Sequence, residues 1–329
     1  MDPQVAELTR QLAVVQQRLE SAEQRLDAAG RKLGRSRLWG RAAVLLAPGV
    51  MIGLLFLDES PAAPPPGVPA NSLAARVDAL EAKTAALSVA GTNLIITGMN
   101  VQIVDGSGDT DSDSGLGNLT IGYNSSRTIF GVPDLRTGSH NLIVGDGNNY
   151  SSFGGIVIGR FNEISGPYAV VSGGFQNVAT ATLATVSGGC NNTASGFHST
   201  VSGGDRNQAT ATACTVSGGF TNTASVNTST VSGGSFNVAS GPFSAVSGGT
   251  GNEASEIYSS VSGGTDNDAT GRYSSVSGGN GNEASGWYSS VSGGNLCEAN
   301  GDYSSVSGGF LRGVGGDFDW AAGSLFEDQ

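Results

Sequence analysis

Few residues in this chain are equipped for chemistry. Two histidines, His140 and His198, and three cysteines, Cys190, Cys214 and Cys297, are scattered through 329 residues. Their spacing sets up neither an acid/base pair nor a nucleophile with its base. The cysteines fit no CxxC metal spacing; their odd number allows one bridge, but nothing in the pattern demands it. One acidic run stands out, Asp105, Asp109, Asp111 and Asp113 within DGSGDTDSDSG. Carboxylates at mostly alternate positions are what a loop uses to gather oxygens around Ca²⁺. The run lacks the acidic residue that closes an EF-hand loop, because Leu116 stands at the twelfth position. A flexible acidic loop is the competing reading. The expectation is a protein that is not an enzyme, with Ca²⁺ at those four aspartates as its one candidate cofactor.

Composition points the same way. The chain holds 52 Gly, only 13% charged residues and a net charge of -12, which argues against an ordinary enzyme core and, for want of Gly-X-Y triplets, against collagen. Eight of its 16 basic residues precede residue 60, and beyond residue 85 there are 19 Asp/Glu against 6 Arg. An acidic C-terminal part repels nucleic acid and anionic membranes, so no nucleic-acid partner is expected.

Several elements precede the glycine-rich part. Val5, Leu8, Leu12, Val15, Leu19, Ala22, Leu26, Ala29 and Leu33 alternate spacings of three and four, which predicts a coiled coil over 1–37; a solitary amphipathic helix is the alternative. The basic flank Arg31 to Arg41 and the uncharged run Ala42 to Leu57 predict a membrane helix over 38–58, N-terminus cytoplasmic and the remainder extracytoplasmic. A Pro-rich linker (59–70) follows, and then a short coiled-coil stalk (71–90) with seam residues Leu73, Val77, Leu80, Thr84 and Leu87. Strands from Asn93 and the acidic loop fill 91–141.

The decisive feature is Val-Ser-Gly-Gly, which recurs ten times from Val171 to Val306 at an unbroken spacing of 15. With that Val as position one, Ala recurs at position nine, and Asn at position seven in Asn177, Asn192, Asn207, Asn222, Asn237, Asn252, Asn267 and Asn282. Ile156 opens a unit in the same frame, Leu142 opens one a residue shorter, and Leu119 a more distant echo. Alternation around Val and around Asn-x-Ala predicts two short strands per unit, with the Gly-Gly pair and the position-eleven Gly at corners of positive φ. Two strands and two corners in 15 residues make one coil of a parallel β-solenoid, a rod on the order of 50–60 Å long. Helices fail, since a Gly pair per unit would cost about 2 kcal/mol. The asparagines are expected to form a structural ladder, each amide bonding the next. One Val and one Ala per coil make a thin core, which lateral packing of copies would supplement. The break in pattern after Val306 predicts a C-terminal cap over 310–329, with a terminal ligand pocket as the lesser reading.

The unit S-V-S-G-G-x-x-N-x-A-S-G resembles the S-V-A-I-G-x-x-A-x-A-x-G repeat of trimeric autotransporter adhesin heads, the YadA-like left-handed β-roll, and Ile156-Val157-Ile158-Gly159 is the nearest local match. The resemblance spans about residues 119–320. It implies three identical chains packed about a threefold axis above a coiled-coil stalk. The chain departs from that pattern in its 15-residue unit, in a Gly where the family has an inward Ile, and in an N-terminal anchor in place of C-terminal barrel strands.

The sequence thus predicts an all-β solenoid head (142–309) on a single-pass membrane protein, a homo-oligomer and by resemblance a trimer, that adheres to a host, matrix or glycan ligand. Asp205, Glu253, Asp266, Asp268, Glu283 and Trp287 stand at outward positions open to contact. Two rival readings remain: a Ser/Thr array for ice or a regular polysaccharide, suggested by closing pairs such as Ser259-Ser260 and by Thr180-Ala-Thr182, and a structural spacer.

Overall fold

The computed structural model describes residues 73–128 and 131–323. The coiled coil, membrane helix and linker expected over 1–70 lie outside the described residues, and no described helix is long and apolar enough to cross a membrane. The chain divides into two units, Met1–Met99 and Asn100–Gln329.

In the first unit, helix α1 (Leu73–Thr84) carries the expected seam, with Leu73, Val77 and Leu80 exposed. The helix stops at Thr84, three residues short of the last expected seam position, because Leu87 belongs to a strand. Strands β1 (Leu87–Ala90) and β2 (Asn93–Ile96) pair antiparallel. The two residues between them include Gly91 at φ 62°, which allows the tight reversal.

The second unit is a parallel β-solenoid. Position-one strands stack into a 14-stranded sheet that begins with β3 (Leu119–Ile121) and β4 (Leu142–Asp146), and position-nine strands stack into a 12-stranded sheet. Single bridges at position five, from Arg160 through Phe175 and Cys190 to Phe310, form a third rank. Neighbouring coils pair in register, so the strand positions one and nine each form an inward column of one residue type. The Val column from Val171 to Val306 is at most 1% exposed, and the Ala column from Ala179 to Ala299 is fully buried.

Three expectations are corrected by this register. First, Val157, not Ile156, pairs with Val171, and Ile143 pairs with Val157. The early coils therefore have 14 residues between inward positions, and Ile158 is a half-buried outer residue where Val157 is the buried one. The residue added in later coils enters at the Gly-Gly corner. Gly159 and Gly174 both lie against the carbonyl of the next corner glycine, whereas a Cβ on Gly173 would meet nothing within 4 Å.

Second, the position-eleven glycines do not take positive φ. A Cβ on Gly286 would lie 2.0 Å from the Gly301 carbonyl oxygen, so close approach is what they provide. Left-handed φ falls, as expected, on the second glycine of each Gly-Gly pair, such as Gly234 at φ 84°, and also on positions six and thirteen, where apart from Gly251 and Gly281 the residues from Gln176 to Phe318 are not glycine and have φ of 51–63°. Each such residue turns its N–H back to the preceding coil, as Phe243 does to Asn227 O at 3.1 Å, which helps offset the backbone strain.

Third, the coils continue beyond residue 309. Gly313–Val314 pairs with Glu298–Ala299, and Trp320–Ala321 with Ser305–Val306. Among the described residues, the aromatics read as a cap, Phe310, Phe318 and Trp320, belong to this last coil and stay exposed, Phe318 at 76% and Trp320 at 67%.

Candidate functional site

Position seven carries the most ordered polar feature. Each asparagine from Asn177 to Asn282 accepts the backbone N–H of the next position-seven residue on its Oδ1. Along the ladder these bonds measure 2.8–3.1 Å. Its Nδ2 donates to two glycine carbonyls, for Asn222 those of Gly218 at 2.8 Å and Gly234 at 2.9 Å. The expected ladder is present, but its rungs are chiefly side chain to backbone. Amide-to-amide bonds are added at Asn252, Asn267 and Asn282. The ladder also reaches further than expected. Asn124 and Asn148 extend it at one end, and at the other the Cys297 N–H donates to Asn282 Oδ1. Buried and hydrogen-bonded on both edges, these amides hold the corners together.

The acidic run does not converge. Asp105 accepts Ser107 N–H at 2.8 Å and Ser107 Oγ at 2.6 Å on one oxygen, and Ser114 Oγ at 2.8 Å together with Ser112 Oγ on the other. The Ser107 hydroxyl, followed by that of Ser112, holds its carboxyl far below the usual carboxylate range. Asp111 accepts the Tyr168 hydroxyl at 2.9 Å, and Asp109 accepts the Asp111 N–H at 3.1 Å. Among the described residues, no group of three or more His, Cys, Asp or Glu could hold a metal ion, and Asp113 joins no such group. His140 pins this loop to the first coil: Nε2 accepts the Asp105 N–H at 3.3 Å, and Nδ1 lies 3.2 Å from Thr110 O. His198 is an exposed position-thirteen residue packed edge-on against Phe197 at 4.2 Å. The three cysteines are free thiols, Cys190 half-buried and the other two buried.

The outward positions in the C-terminal coils build a surface of a different kind. Phe243, Tyr258, Tyr273, Tyr288, Tyr303 and Phe318 stack face to face at position thirteen, with centroids 4.7–5.2 Å apart and planes within 13°. All are 40–76% exposed. Because neighbouring rings cover each other's faces, this ladder presents ring edges and a rank of phenol hydroxyls. Trp287 lies beside it, half exposed, with the Arg272 guanidinium 5.4 Å from its ring. Asp205 is half-buried elsewhere on the roll, beside the exposed Arg206.

On the sheet of Ala strands, Glu253, Asp268, Glu283 and Glu298 are in register on successive coils. Burial raises the Asp268 carboxyl above its usual value, and the negative charges of Glu253, Glu283 and Asp266 raise it further. A carboxyl raised in the folded state stabilises the fold below its unfolded value and loses that contribution as pH rises through the folded one. Asp268→Asn is therefore expected to raise stability by about 0.5–1 kcal/mol at neutral pH, since like charges directly opposite destabilise. The gain should vanish on acidification below the ordinary Asp range. Thermal melts of both proteins across pH 3–7 check this, and a pH-independent difference contradicts it.

The sheet of Val strands has another outer face. Its position-fifteen column reads Leu119, Leu142, Ile156 and Val170, then Thr185, Thr200, Thr215 and Thr230, then Ala245 and four serines to Ser305, ending at Trp320. Beside it runs a position-two column, Ile121, Val144 and Ile158 followed by ten exposed serines from Ser172 to Ser307. The closing hydroxyl pairs are thus split, since Ser259, Ser274, Ser289 and Ser304 point inward and are 1% exposed while their neighbours face out. Ser274, Ser289 and Ser304 have no hydrogen-bond partner for their hydroxyls. Ala169 and Ala184 end their coils at the same inward place. Ser289→Ala is accordingly expected to stabilise the roll by about 1 kcal/mol. Urea denaturation with an unchanged slope checks it; a loss of stability would mean that the hydroxyl is satisfied.

The geometry defines a parallel β-solenoid of near-identical coils, and the comparisons add what kind of repeat it is. The family described as "Ubiquitous surface protein adhesin repeat" matches residues 199–210, the stretch that holds Val201, the Gly203-Gly204 corner, Asn207 and Ala209. The solenoid is thus adhesin-like in its repeat, in keeping with the head of a trimeric autotransporter adhesin. No curated protein matches the chain.

Proposed function

We propose that this chain is a non-enzymatic, membrane-anchored surface adhesin, with its N-terminus cytoplasmic and its solenoid head extracytoplasmic, trimeric and presented on a short stalk. The observation that carries the reading is the adhesin-type repeat at 199–210, whose pattern recurs without interruption through a rigid solenoid. Ligand contact falls on the aromatic ladder, where side chains stay exposed, and on the half-buried acidic column beside it in sequence, which ends at the exposed Glu298. The partner is a host, matrix or glycan component. The full chain, immobilised and probed with matrix-protein and glycan arrays, is expected to bind specific members of those classes. Tyr273→Ser with Tyr288→Ser should weaken that binding about tenfold, as loss of aromatic anchors does. Absence of any binding contradicts the reading, and binding untouched by the double variant contradicts the place assigned to it.

A second reading is favoured by one observation, the ten serines in rank at position two. A flat hydroxyl lattice repeating every ~4.8 Å suits ice or a regular polysaccharide. A thermal-hysteresis measurement on the full chain separates the two readings, because an adhesin that uses the aromatic ladder gives none.

A further inference from the structure

We propose that the residues after Gly323 run on for half a coil in the same 15-residue frame and close the C-terminal end of the solenoid, with the Glu327 carboxylate set against the Arg312 guanidinium. The proposal is independent of the ligand and oligomer readings above.

The backbone at this end calls for an occupant. Along the roll, N–H groups at positions two, five, eight, ten and fifteen donate to carbonyls of the next coil, as Asn295 does to Gly309 O at 2.9 Å, Glu298 to Arg312 O at 2.7 Å and Asn300 to Val314 O at 2.9 Å. In the last coil the equivalent N–H groups of Phe310, Gly313, Gly315, Trp320 and Ala322 find no acceptor among the described residues. Such an edge is a template for strand pairing. The chain covers its other end with a segment of its own. Tyr150, in the first strand of the Ala sheet, donates its N–H to Leu135 O at 2.8 Å and accepts the Gly138 N–H at 3.0 Å.

The side chains say which occupant. At position seven the asparagine ladder gives way to Cys297 and then to the half-buried Arg312. The Arg312 Nε is buried with no hydrogen-bond partner, and no carboxylate among the described residues pairs with the guanidinium. A cation so placed is costly until an anion meets it. Counted in frame, Leu325 falls at position five over Phe310, Phe326 at position six over Leu311, and Glu327 at position seven over Arg312. Phe310 and Leu311 are 64% and 62% exposed. Apolar residues thus cover apolar ones, and the carboxylate meets the unpaired cation.

Position four supplies the stop. From Gly174 to Gly279, a Cβ at the corner glycine would lie 2.1–2.3 Å from the carbonyl oxygen of the next corner glycine, so a coil stacks only on glycine there. Ser324 falls at this position, and its Cβ bars any further coil. A closed end leaves contact to the sides of the roll and keeps copies from joining edge to edge. The half coil brings carbonyls at positions four, seven and nine to the N–H groups of Phe310, Gly313 and Gly315. It does not reach Trp320 or Ala322.

Hydrogen exchange read by mass spectrometry, on the full chain in detergent solution and on a chain stopped after Gly323, tests this. The amides of 310–315 are expected to exchange about tenfold more slowly in the full chain, while those of 320–322 exchange alike in both. Arg312→Glu should abolish the slowing, and Arg312→Glu combined with Glu327→Arg should restore it, each with the wild-type β signal in circular dichroism. Equal exchange in the full and shortened chains overturns the proposal, as does slowing that spreads to 320–322, that survives Arg312→Glu or that the double variant fails to restore. Protection that persists in the shortened chain and rises with protein concentration assigns the edge to a second copy, and overturns it equally.

Discussion

Gly234→Ala is expected to unfold the solenoid locally or lower its stability by about 3–5 kcal/mol, whereas Gly233→Ala, one residue earlier, should change it by less than about 1 kcal/mol. The two glycines share one corner but meet different surroundings. Gly234 has φ +84°, and a Cβ there would lie 2.1 Å from the Gly249 carbonyl oxygen and 2.5 Å from Asn237 Nδ2. Both contacts are with atoms that the next coil and the asparagine ladder fix in place, so neither can move aside cheaply. A side chain at that φ is strained even without the contact. A Cβ at Gly233 would meet nothing within 4 Å. The Gly pair therefore divides into one position that the fold requires and one that it merely tolerates. Chemical denaturation of the two variants measures the difference, and equal effects would mean that the corner geometry is wrong.

Asn222→Leu should cost a comparable amount. It fills roughly the same volume but removes an acceptor from the Asn237 N–H at 3.0 Å and a donor from the carbonyls of Gly218 and Gly234. The Asn237 residue is fully buried, so its N–H is left without a partner at about 1–3 kcal/mol, and the two carbonyls add to that. Asn222→Asp should recover part of the loss, because a carboxylate still accepts the Asn237 N–H, yet it brings a buried charge toward two carbonyl oxygens. The expected order of melting temperatures is wild type, then Asp, then Leu. A Leu variant as stable as wild type would show that the ladder carries no net energy.

Much of the fold was legible in the sequence because stacking forces chemical identity into columns. A Val every 15 residues is an inward column, and an Asn every 15 is a ladder, since only a self-satisfying polar residue survives burial. Where the sequence misled, the cause was local. Ile156-Val157-Ile158 offers three aliphatic residues, and only pairing with Val171 selects Val157 as the inward one. The left-handed corners at positions six and thirteen bear glycine only at Gly251 and Gly281, because inter-coil hydrogen bonds hold residues such as Thr228 at φ 61°. The hydroxyl pairs looked like one outward array, yet strand alternation buries the first of each pair. Asn124 and Asn148 escaped notice because their coils precede the 15-residue frame; the spacing of 14 from Asn148 to Asn162 was the available signal.

The surface was less legible. Six aromatics at one position were visible as a column, but their face-to-face stacking, which leaves ring edges outward, follows only from the corner geometry. The graded outer face emerged once register assigned Leu142, Ile156, Val170 and Thr185 to one line. The aspartates at 105–113 showed how a ligand-like spacing can be taken up internally, with Asp105 enclosed by serine hydroxyls and Asp111 bound by Tyr168.

The central claim is that residues 15 apart lie one strand spacing apart along a continuous solenoid. Spin labels at Thr180 and Ser255, both at position ten and separated by five coils, measure this directly in full-length chain diluted with unlabelled copies. The account predicts a narrow distance distribution near ~24 Å, five steps of ~4.8 Å. A broad distribution centred at about 45–50 Å, as a flexible Gly/Ser chain of the same length would give, would contradict it.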